Sequence, residues 1–264
     1  MNIRGPKPRP FECSEELFWY LVGLVATDGC LSKNGRSVNI TGNEAHLISL
    51  RDALGISNKV SPKPNGRGQI GHQIQLGSKT LYEKLLDIGL TPRKSLTIGA
   101  LCVPDSGFPD FFRGVIDGDG SIFRWNHPTN GREQWRLYVC GVSAPFIQWL
   151  SGMVEKIWHV KGRIHIQKEN ARRHPLYKLK YGKLAAKVIF SSCYQPGKIA
   201  LERKQKLAEQ CVRGSVGWSK SKTVESSENW RGWKYRHAWG AGITSRVLDR
   251  KETSEVPVPE LVQC

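Results

Sequence analysis

An apolar stretch that occurs twice, each time ending in Asp-Gly, constrains the fold of this chain more than any other feature of its sequence. Residues 21–29 have the sequence LVGLVATDG, and residues 112–120 have the sequence FRGVIDGDG. The two copies end at equivalent aspartates, Asp28 and Asp119, which are 91 residues apart. A motif that recurs at such a distance indicates two duplicated structural units.

The residues after each copy show the same order of predicted elements. Each copy is followed by two alternating apolar and polar runs, a stretch with helical spacing of apolar residues, two more alternating runs and a last helical stretch. This pattern predicts the element order αββαββα in both units. Alternation with a period of two is typical of antiparallel sheets that have one apolar and one polar face. The predicted fold class is therefore α+β, with two pseudo-symmetric halves.

The same patterns predict the domain organisation. We expect an N-terminal arm over 1–13, a first repeat over 14–95, a linker over 96–110, a second repeat over 111–212 and a C-terminal extension over 213–264. In the extension, tryptophans alternate with basic residues and could either stack on nucleic acid or cover an apolar patch of the main domain. We expect the end of the extension to be disordered.

Small residues lie on one face of the apolar helix that is predicted in each copy. Gly23 and Thr27 are four residues apart in the first copy, and Gly114 and Gly118 are four residues apart in the second. Small residues at this spacing allow two helix backbones to approach closely. We therefore predict that the two helices pack against each other through these faces, with their C-terminal ends side by side.

Such packing would bring Asp28 and Asp119 together at the negative ends of two helix dipoles. Two carboxylates there repel each other and the helix ends, and a divalent cation would remove that repulsion. Mg²⁺ binds carboxylate and carbonyl oxygens and keeps water and phosphate oxygens in its shell. A simple Asp-Gly turn is the alternative, and its duplication on such a helix disfavours it. A calcium loop of EF-hand type is excluded, because its sixth and twelfth positions would be Ile122 and Pro128.

The charge of the chain indicates a polyanionic partner. There are 40 Lys and Arg residues against 23 Asp and Glu residues, which gives a formal net charge of +17. Residues 121–213 hold 18 basic against 5 acidic residues, whereas residues 1–107 hold 13 against 9. Nucleic acid is the commonest partner of so basic a chain, and a solvated basic surface is the alternative.

The polar faces of the predicted strands carry side chains that suit DNA. Arg, Lys, Asn, Gln and Tyr can bond to base edges in the major groove and to phosphates. An ordinary polar sheet face is the alternative, but acidic residues are scarce on these faces. The predicted DNA-contacting residues are Arg36, Asn39, Thr41, Gln69, Gln73, Gln75, Gln134, Arg136, Tyr138, Arg163, His165, Gln167, Lys178 and Lys180, with the pairs Arg93-Lys94 and Arg203-Lys204 as phosphate contacts after the last helix of each half.

The paired motif and the element order after it resemble the LAGLIDADG homing endonucleases in their single-chain form with two repeats. The resemblance extends over about residues 14–210. It implies αββαββα halves around a pseudo-two-fold axis, with antiparallel saddle-shaped sheets that straddle duplex DNA. It also implies cleavage of both strands across the minor groove to leave 3′ overhangs, with Mg²⁺ or another divalent cation such as Mn²⁺ as cofactor.

The resemblance assigns roles to the positions that match the motif. The implied metal ligands are the catalytic carboxylates of Asp28 and Asp119 and the carbonyls of Thr27 and Gly118. The implied basic residues of the two active centres are Lys79 and Lys183, at the start of the last helix of each half, where a solvated lysine is the alternative. The chain departs from the motif at Ala26, which stands where the second copy has Asp117, and at Arg113 in the opening of the second copy.

The sequence therefore predicts a site-specific double-strand DNA endonuclease, encoded within an intron, that acts as a monomer on a long asymmetric target. The alternative is a non-cleaving nucleic-acid binder of the same fold, either an intron RNA maturase that binds its own intron RNA or a transcriptional regulator. A binder would not need both aspartates, which favours the enzyme. Seven scattered cysteines without a CxxC pair, and a first segment without the apolar core of a signal peptide, favour a reducing intracellular compartment such as the bacterial cytoplasm or an organelle matrix, without secretion or a membrane partner.

Overall fold

The computed structural model describes residues 11–64, 68, 70–167 and 174–214 of the 264-residue chain. Gln69, most of the predicted arm and almost all of the predicted extension, including its tryptophans, lie outside these ranges. The elements of the first half are α1 (Glu15–Thr27), β1 (Gly29–Leu31), β2 (Ser37–Gly42), α2 (Glu44–Ala53), β3 (Val60–Pro64), β4 (Ile70–Gly77) and α3 (Lys79–Asp87), then a 3-10 turn (Lys94–Leu96). The elements of the second half are α4 (Phe108–Asp119), β5 (Gly120–Asn126), β6 (Glu133–Gly141), α5 (Ala144–Trp158), β7 (Arg163–Gln167), β8 (Leu176–Gly182), α6 (Lys183–Cys193) and α7 (Glu202–Arg213).

The first helix of each half starts in a different way. Ser14 caps α1 because its hydroxyl accepts a hydrogen bond from the backbone N–H of Leu17, 3.3 Å away. Asp110 stands after Pro109, as a capping residue would, but α4 begins earlier, after Gly107, and has no side-chain cap. The carboxylate of Asp110 is instead buried and paired with Arg113.

Two antiparallel four-stranded sheets confirm the predicted α+β fold of two αββαββα halves. Their strand orders are equivalent, β1-β2-β4-β3 in the first half and β5-β6-β8-β7 in the second. The registers are also equivalent, since Asn39 pairs with Gln75 in the first sheet where Tyr138 pairs with Lys180 in the second. In each sheet the alternate positions are apolar and buried against the helices, so that the polar positions share the opposite face.

Helix α7 breaks the symmetry of the two halves. In the second half, the basic segment that follows α6 forms a helix of 12 residues, with Lys204, Ala208 and Cys211 on its buried face. The equivalent basic segment of the first half forms only the 3-10 turn of three residues. The sequence explains the difference, because apolar residues recur at helical spacing through α7 whereas Gly99 and Pro104 soon follow the turn.

The cysteines within the described ranges differ in bonding state. Cys13, Cys30, Cys140, Cys193 and Cys211 are free thiols, whereas Cys102 is disulfide-bonded. No helix within the described ranges has the length and apolar character needed to cross a lipid bilayer.

Candidate active site

Helices α1 and α4 pack backbone to backbone through two facing glycines. A methyl group added to Gly23 would overlap the carbonyl oxygen of Phe111 and lie 2.9 Å from the Cα of Gly114. A methyl group added to Gly114 would overlap the carbonyl oxygen of Tyr20 in the same way. Only glycine leaves room for this approach, so the structure brings these two predicted interface residues together.

The second pair of predicted interface residues sets the helix ends side by side. A methyl group on Gly118 would overlap the hydroxyl of Thr27 and lie 3.2 Å from Oδ2 of Asp28. The Thr27 hydroxyl itself donates to the carbonyls of Gly23 and Leu24, each 3.1 Å away. The carboxylate of Asp28, from the first half, therefore lies against the last turn of the helix that ends at Asp119.

The two aspartates interact electrostatically. Both residues are exposed to solvent, but the surrounding protein still removes enough water to raise the pKa of each carboxyl. Desolvation is the largest cause, and together with the charge of Asp28 it raises the pKa of Asp119 to about 6. Positive charge on Lys94 and Lys204 opposes the increase at both aspartates. The site therefore holds two acids of like charge beside two ammonium groups.

Lys94 and Lys204 are not at the surface, which corrects their prediction as phosphate contacts. Both are buried, with 5% and 1% of their surfaces exposed. The ammonium group of Lys94 donates to the carbonyl of Gly29, the residue after Asp28. The ammonium group of Lys204 donates to the carbonyls of Ile116 and Asp117, each 2.7 Å away, and of Gly118, 3.2 Å away. Each lysine therefore lies beneath the end of the helix that carries one of the acids, where a cation offsets the dipole.

Lys79 and Lys183 begin α3 and α6, where the resemblance implied basic residues, but each bonds to a group other than the two aspartates. Lys79 is exposed and forms an ion pair with Glu83 at 3.3 Å on the surface of α3. Lys183 donates to the carbonyl of Glu133, 3.0 Å away, in β6. Neither lysine is among the charges that shift the pKa of the two aspartates. The cations that do so are Lys94 and Lys204, which follow Arg93 and Arg203 in sequence. The repeated Arg-Lys pair was the one sequence signal that could have indicated them.

A buried polar cluster behind the aspartates ties the halves together. Asp117 accepts hydrogen bonds from the hydroxyl of Tyr20 at 2.8 Å, the hydroxyl of Tyr194 at 2.7 Å and the N–H of Leu201 at 2.7 Å. Because Tyr20 gives its one proton to Asp117, Nε2 of His46 must be the donor in the 2.6 Å contact with the Tyr20 hydroxyl. Sequence reasoning did not find this cluster, whose members lie on four separate segments.

The predicted strand residues lie on the polar faces of the two sheets. In the first sheet, Gln73 donates to Asn39 at 3.0 Å, and Lys63 donates to Thr41 at 3.3 Å. Gln75 is exposed beside them. Those of the second sheet share one face by register, namely Gln134, Arg136, Tyr138, Arg163, His165, Gln167, Lys178 and Lys180. Arg36, Arg93 and Arg203 are exposed outside the strands, and Gln69 is outside the described residues. DNA contact by these residues stays a prediction.

The donor set fits a hard divalent cation that keeps water or phosphate ligands. The described ranges contain no group of three or more His, Cys, Asp and Glu side chains that could hold a metal by themselves. Asp28 and Asp119 supply two exposed carboxylates of like charge at neighbouring helix ends, and Mg²⁺ typically binds through one or two carboxylates with phosphates and water. The carbonyl of Gly118, a proposed further ligand, already accepts from Lys204.

Comparison with solved structures returns proteins that are similar to this chain at low sequence identity. Full-length DUF199/WhiA from Thermatoga maritima is 16% identical, with 79% of this chain and 64% of that chain covered and a TM-score of 0.49. The homing endonuclease I-DmoI in complex with DNA and Ca is 17% identical, with 73% of this chain and 97% of that chain covered and a TM-score of 0.48. The homing endonuclease I-WcaI bound to its DNA recognition sequence is 12% identical, with 78% and 95% covered and a TM-score of 0.49. The chain thus spans under two thirds of the length of the WhiA structure. No family model matches the chain, and no curated protein matches it.

Proposed function

We propose that this protein is a site-specific endonuclease that hydrolyses both strands of double-stranded DNA with a divalent cation, leaving 3′ overhangs. The observation that carries the proposal is the meeting of Asp28 and Asp119, one from each half, at the ends of two helices packed backbone to backbone. Each aspartate directly precedes the first strand of its own sheet, at Gly29 and Gly120. DNA held along the polar faces of both sheets would therefore pass over the two acids.

Each residue of the site has a task in hydrolysis. The carboxylates of Asp28 and Asp119 hold the cation, with the carbonyl of Thr27 as a further proposed ligand. When bound, Mg²⁺ or Mn²⁺ lowers the pKa of a water molecule and stabilises charge on the phosphodiester. Water attacks phosphorus, one P–O bond breaks, and the products are a phosphate monoester and a hydroxyl group. The acids come from the two halves in a single chain, so a monomer supplies the whole site.

Lys94 and Lys204 assist as buried charges that do not touch the substrate. Burial lowers the pKa of Lys204 to about 8, so its ammonium group remains charged at neutral pH. Burial also lowers the pKa of Lys94, and nearby Asp119 and Asp28 act against that decrease. Their positive charges reduce the negative potential at the two carboxylates, which helps an anionic phosphate to approach. We assign them as positioning residues in place of Lys79 and Lys183.

The different polar faces of the two sheets support the proposal of a long asymmetric target. Amide and hydroxyl groups dominate the polar face of the first sheet, whereas Arg, Lys and Tyr dominate that of the second. Two faces of unlike chemistry suit two unlike half-sites. If the gene lies within an intron, the sequence that flanks the intron is the candidate target.

The test is cleavage of a plasmid that carries this intron-insertion junction. The full chain should cut the plasmid with Mg²⁺ and should not cut it in EDTA. Asp28→Asn and Asp119→Asn should each bind the junction as tightly as the parent and lose cleavage. Asp52→Asn is the matched control, because Asp52 is an exposed aspartate that pairs only with its neighbour Arg51 among the described residues, and it should cut normally.

Two outcomes would contradict the proposal. Undiminished cleavage by both Asp28→Asn and Asp119→Asn would remove the acids from the chemistry. Tight binding without cleavage in either Mg²⁺ or Mn²⁺ would instead identify a nucleic-acid binder of the same fold, such as a maturase or a regulator.

A further inference from the structure

The outward faces of the two sheets differ in aromatic content. No residue of β1, β2, β3 or β4 is Phe, Tyr or Trp. In the second sheet, Phe123, Trp125 and Tyr138 all lie on the outward face. Tyr138 and the strand partners of Phe123 and Trp125 occupy the positions of β6 that alternate with the buried Trp135 and Leu137. The second sheet therefore carries three aromatic side chains on its outward face, whereas the equivalent positions of the first sheet carry none.

The three aromatic rings form one cluster with two cations. The rings of Phe123 and Tyr138 meet in a T-shaped arrangement, with centroids 5.3 Å apart. The guanidinium of Arg136 lies 4.8 Å from the Trp125 ring and donates to the Tyr138 hydroxyl at 3.0 Å. The ammonium group of Lys180 lies 5.5 Å from the centroid of the Tyr138 ring. These contacts hold the rings in place on the sheet.

The cluster remains accessible and is surrounded by positive charge. Phe123 keeps 50% of its surface exposed, an unusual state for a phenylalanine on a folded sheet. Arg163 pairs with Lys180 across the neighbouring strand, and His165 pairs with Lys178. No outward-facing position of β5, β6, β7 or β8 is Asp or Glu. An exposed aromatic surface within a cationic one complements a ligand that has both flat apolar faces and anionic groups.

We propose that the outward face of the second sheet binds single-stranded nucleic acid, with bases stacked on Phe123 and Trp125 and phosphates paired with Arg136 and Lys180. In a duplex the faces of the bases are covered by their neighbours, so an aromatic side chain can reach only their edges. Unpaired bases expose both faces and stack on aromatic side chains of a sheet. The duplex of the proposed function uses the same face, so duplex and single strand compete for it. The inference does not depend on cleavage.

The test measures binding of fluorescein-labelled strands of about 12 uridines or 12 thymidines, within the range of known site sizes. In the full chain, Phe123→Ala and Trp125→Ala should each weaken binding by about tenfold or more, the effect of losing one stacked base. Phe123→Tyr should bind normally, because it keeps the ring. Leu96→Ala is the matched control, since Leu96 is an apolar residue with the same exposed fraction as Phe123, 50%, and lies outside both sheets.

The outcomes separate stacking from simple charge attraction. An abasic strand of the same length should bind much more weakly than either labelled strand. Binding of both sugars would identify the ligand class as single-stranded nucleic acid in general, and binding of the uridine strand alone would identify RNA. The inference is overturned if Phe123→Ala and Trp125→Ala bind like the parent, if Leu96→Ala loses as much, or if the abasic strand binds equally well. Cleavage by the parent chain in any of these cases leaves the proposed nuclease intact.

Discussion

The ammonium group of Lys204 lies 2.7 Å from the backbone carbonyl oxygen of Asp117, beneath the last turn of α4 and away from solvent. Its other acceptors, the carbonyls of Ile116 and Gly118, belong to the same turn. One buried cation thus satisfies three carbonyls and supplies positive charge beside Asp119. The Lys204 side chain therefore both fixes the end of α4 and stabilises the negative charge of Asp119.

Replacement of Lys204 by methionine should impair cleavage far more than replacement of Lys79. Lys204→Met removes the charge near both aspartates, so we expect the cleavage rate to fall on the order of a hundredfold, the effect of losing one preorganised electrostatic contact. Lys79→Met removes only an exposed ion pair with Glu83 and should cut like the parent. The measurement is the single-turnover rate on the junction plasmid, with circular dichroism to show that both variants fold. Equal rates for the two variants would reject the role of Lys204.

The Gly23–Gly114 contact predicts opposite effects for two glycine substitutions in helices. Gly23→Ala should destabilise the protein by at least about 2 kcal/mol, because the new methyl group would overlap the backbone of α4, which has no space to move. Gly152→Ala is the control: its methyl group meets nothing within 4 Å, so it should stabilise α5 by up to about 1 kcal/mol. Urea denaturation of both variants gives the free energies of unfolding. A neutral Gly23→Ala variant would mean that the helices do not pack as described.

The raised pKa of Asp119 predicts a pH-dependent stability of the metal-free protein. The folded state favours the protonated form of the Asp119 carboxyl. The contribution of this carboxyl to the free energy of unfolding is therefore fully present below its unfolded pKa of 3.8 and is lost as the pH rises through its folded pKa of about 6. Asp119→Asn has no such loss. In EDTA, its stability relative to the parent should therefore increase between pH 4 and pH 7 by roughly 1 kcal/mol, after allowance for solvent screening of an exposed group. Urea denaturation at both pH values measures the difference, and a constant difference would contradict the pKa shift.

Arg113, which departs from the motif, should be essential to stability. Its guanidinium is almost fully buried, pairs with Asp110, donates to the carbonyls of Ile199 at 2.9 Å and Cys193 at 3.0 Å, and lies over the ring of Tyr20. Arg113→Met should cost about 3 kcal/mol or more, because it leaves the buried Asp110 carboxylate with Lys198 as its one remaining cation among the described residues and removes the donor of two buried carbonyl bonds.

The control for Arg113 is an ion pair on the surface. Lys156 and Asp105 are joined at 2.7 Å, but both side chains are more than half exposed. Lys156→Met should change the free energy of unfolding by less than about 0.5 kcal/mol. Similar losses in the Arg113 and Lys156 variants would show that the Arg113 cluster contributes no more than an exposed pair.

The fold could be predicted from the sequence because the residues that specify it recur at regular spacings. The four-residue spacing of small residues predicted the contact of Gly23 with Gly114, since a helix repeats its face at that interval. Alternation in the strands predicted which side of each sheet is polar, as the pairing of Asn39 with Gln75 confirms. These features depend on local spacing, which a single sequence contains.

The positions of the two lysines of the site could not be predicted from the sequence in the same way. An Arg-Lys pair looks like a basic surface, and only the folded chain shows that Arg203 is exposed while Lys204 is buried under α4. The helix α7 that carries Lys204 has no counterpart of equal length in the first half, so the repeat offered no guide. The burial of Asp110 could not be predicted for a related reason: one of its partners, Lys198, is far away in sequence. Such contacts depend on tertiary packing, which motif spacing does not encode.

The hydrogen bond from Tyr20 to Asp117 favours the pairing of two different repeats over the pairing of two identical ones. In a homodimer of the first repeat, the Tyr20 hydroxyl would face Ala26, whose side chain has no acceptor. In a homodimer of the second repeat, Asp117 would face the ring of Phe111, which has no donor. Each repeat now supplies half of a bond that it cannot make alone. A homodimer of either repeat would therefore lack this bond, so the bond specifically stabilises the pairing of two unlike halves.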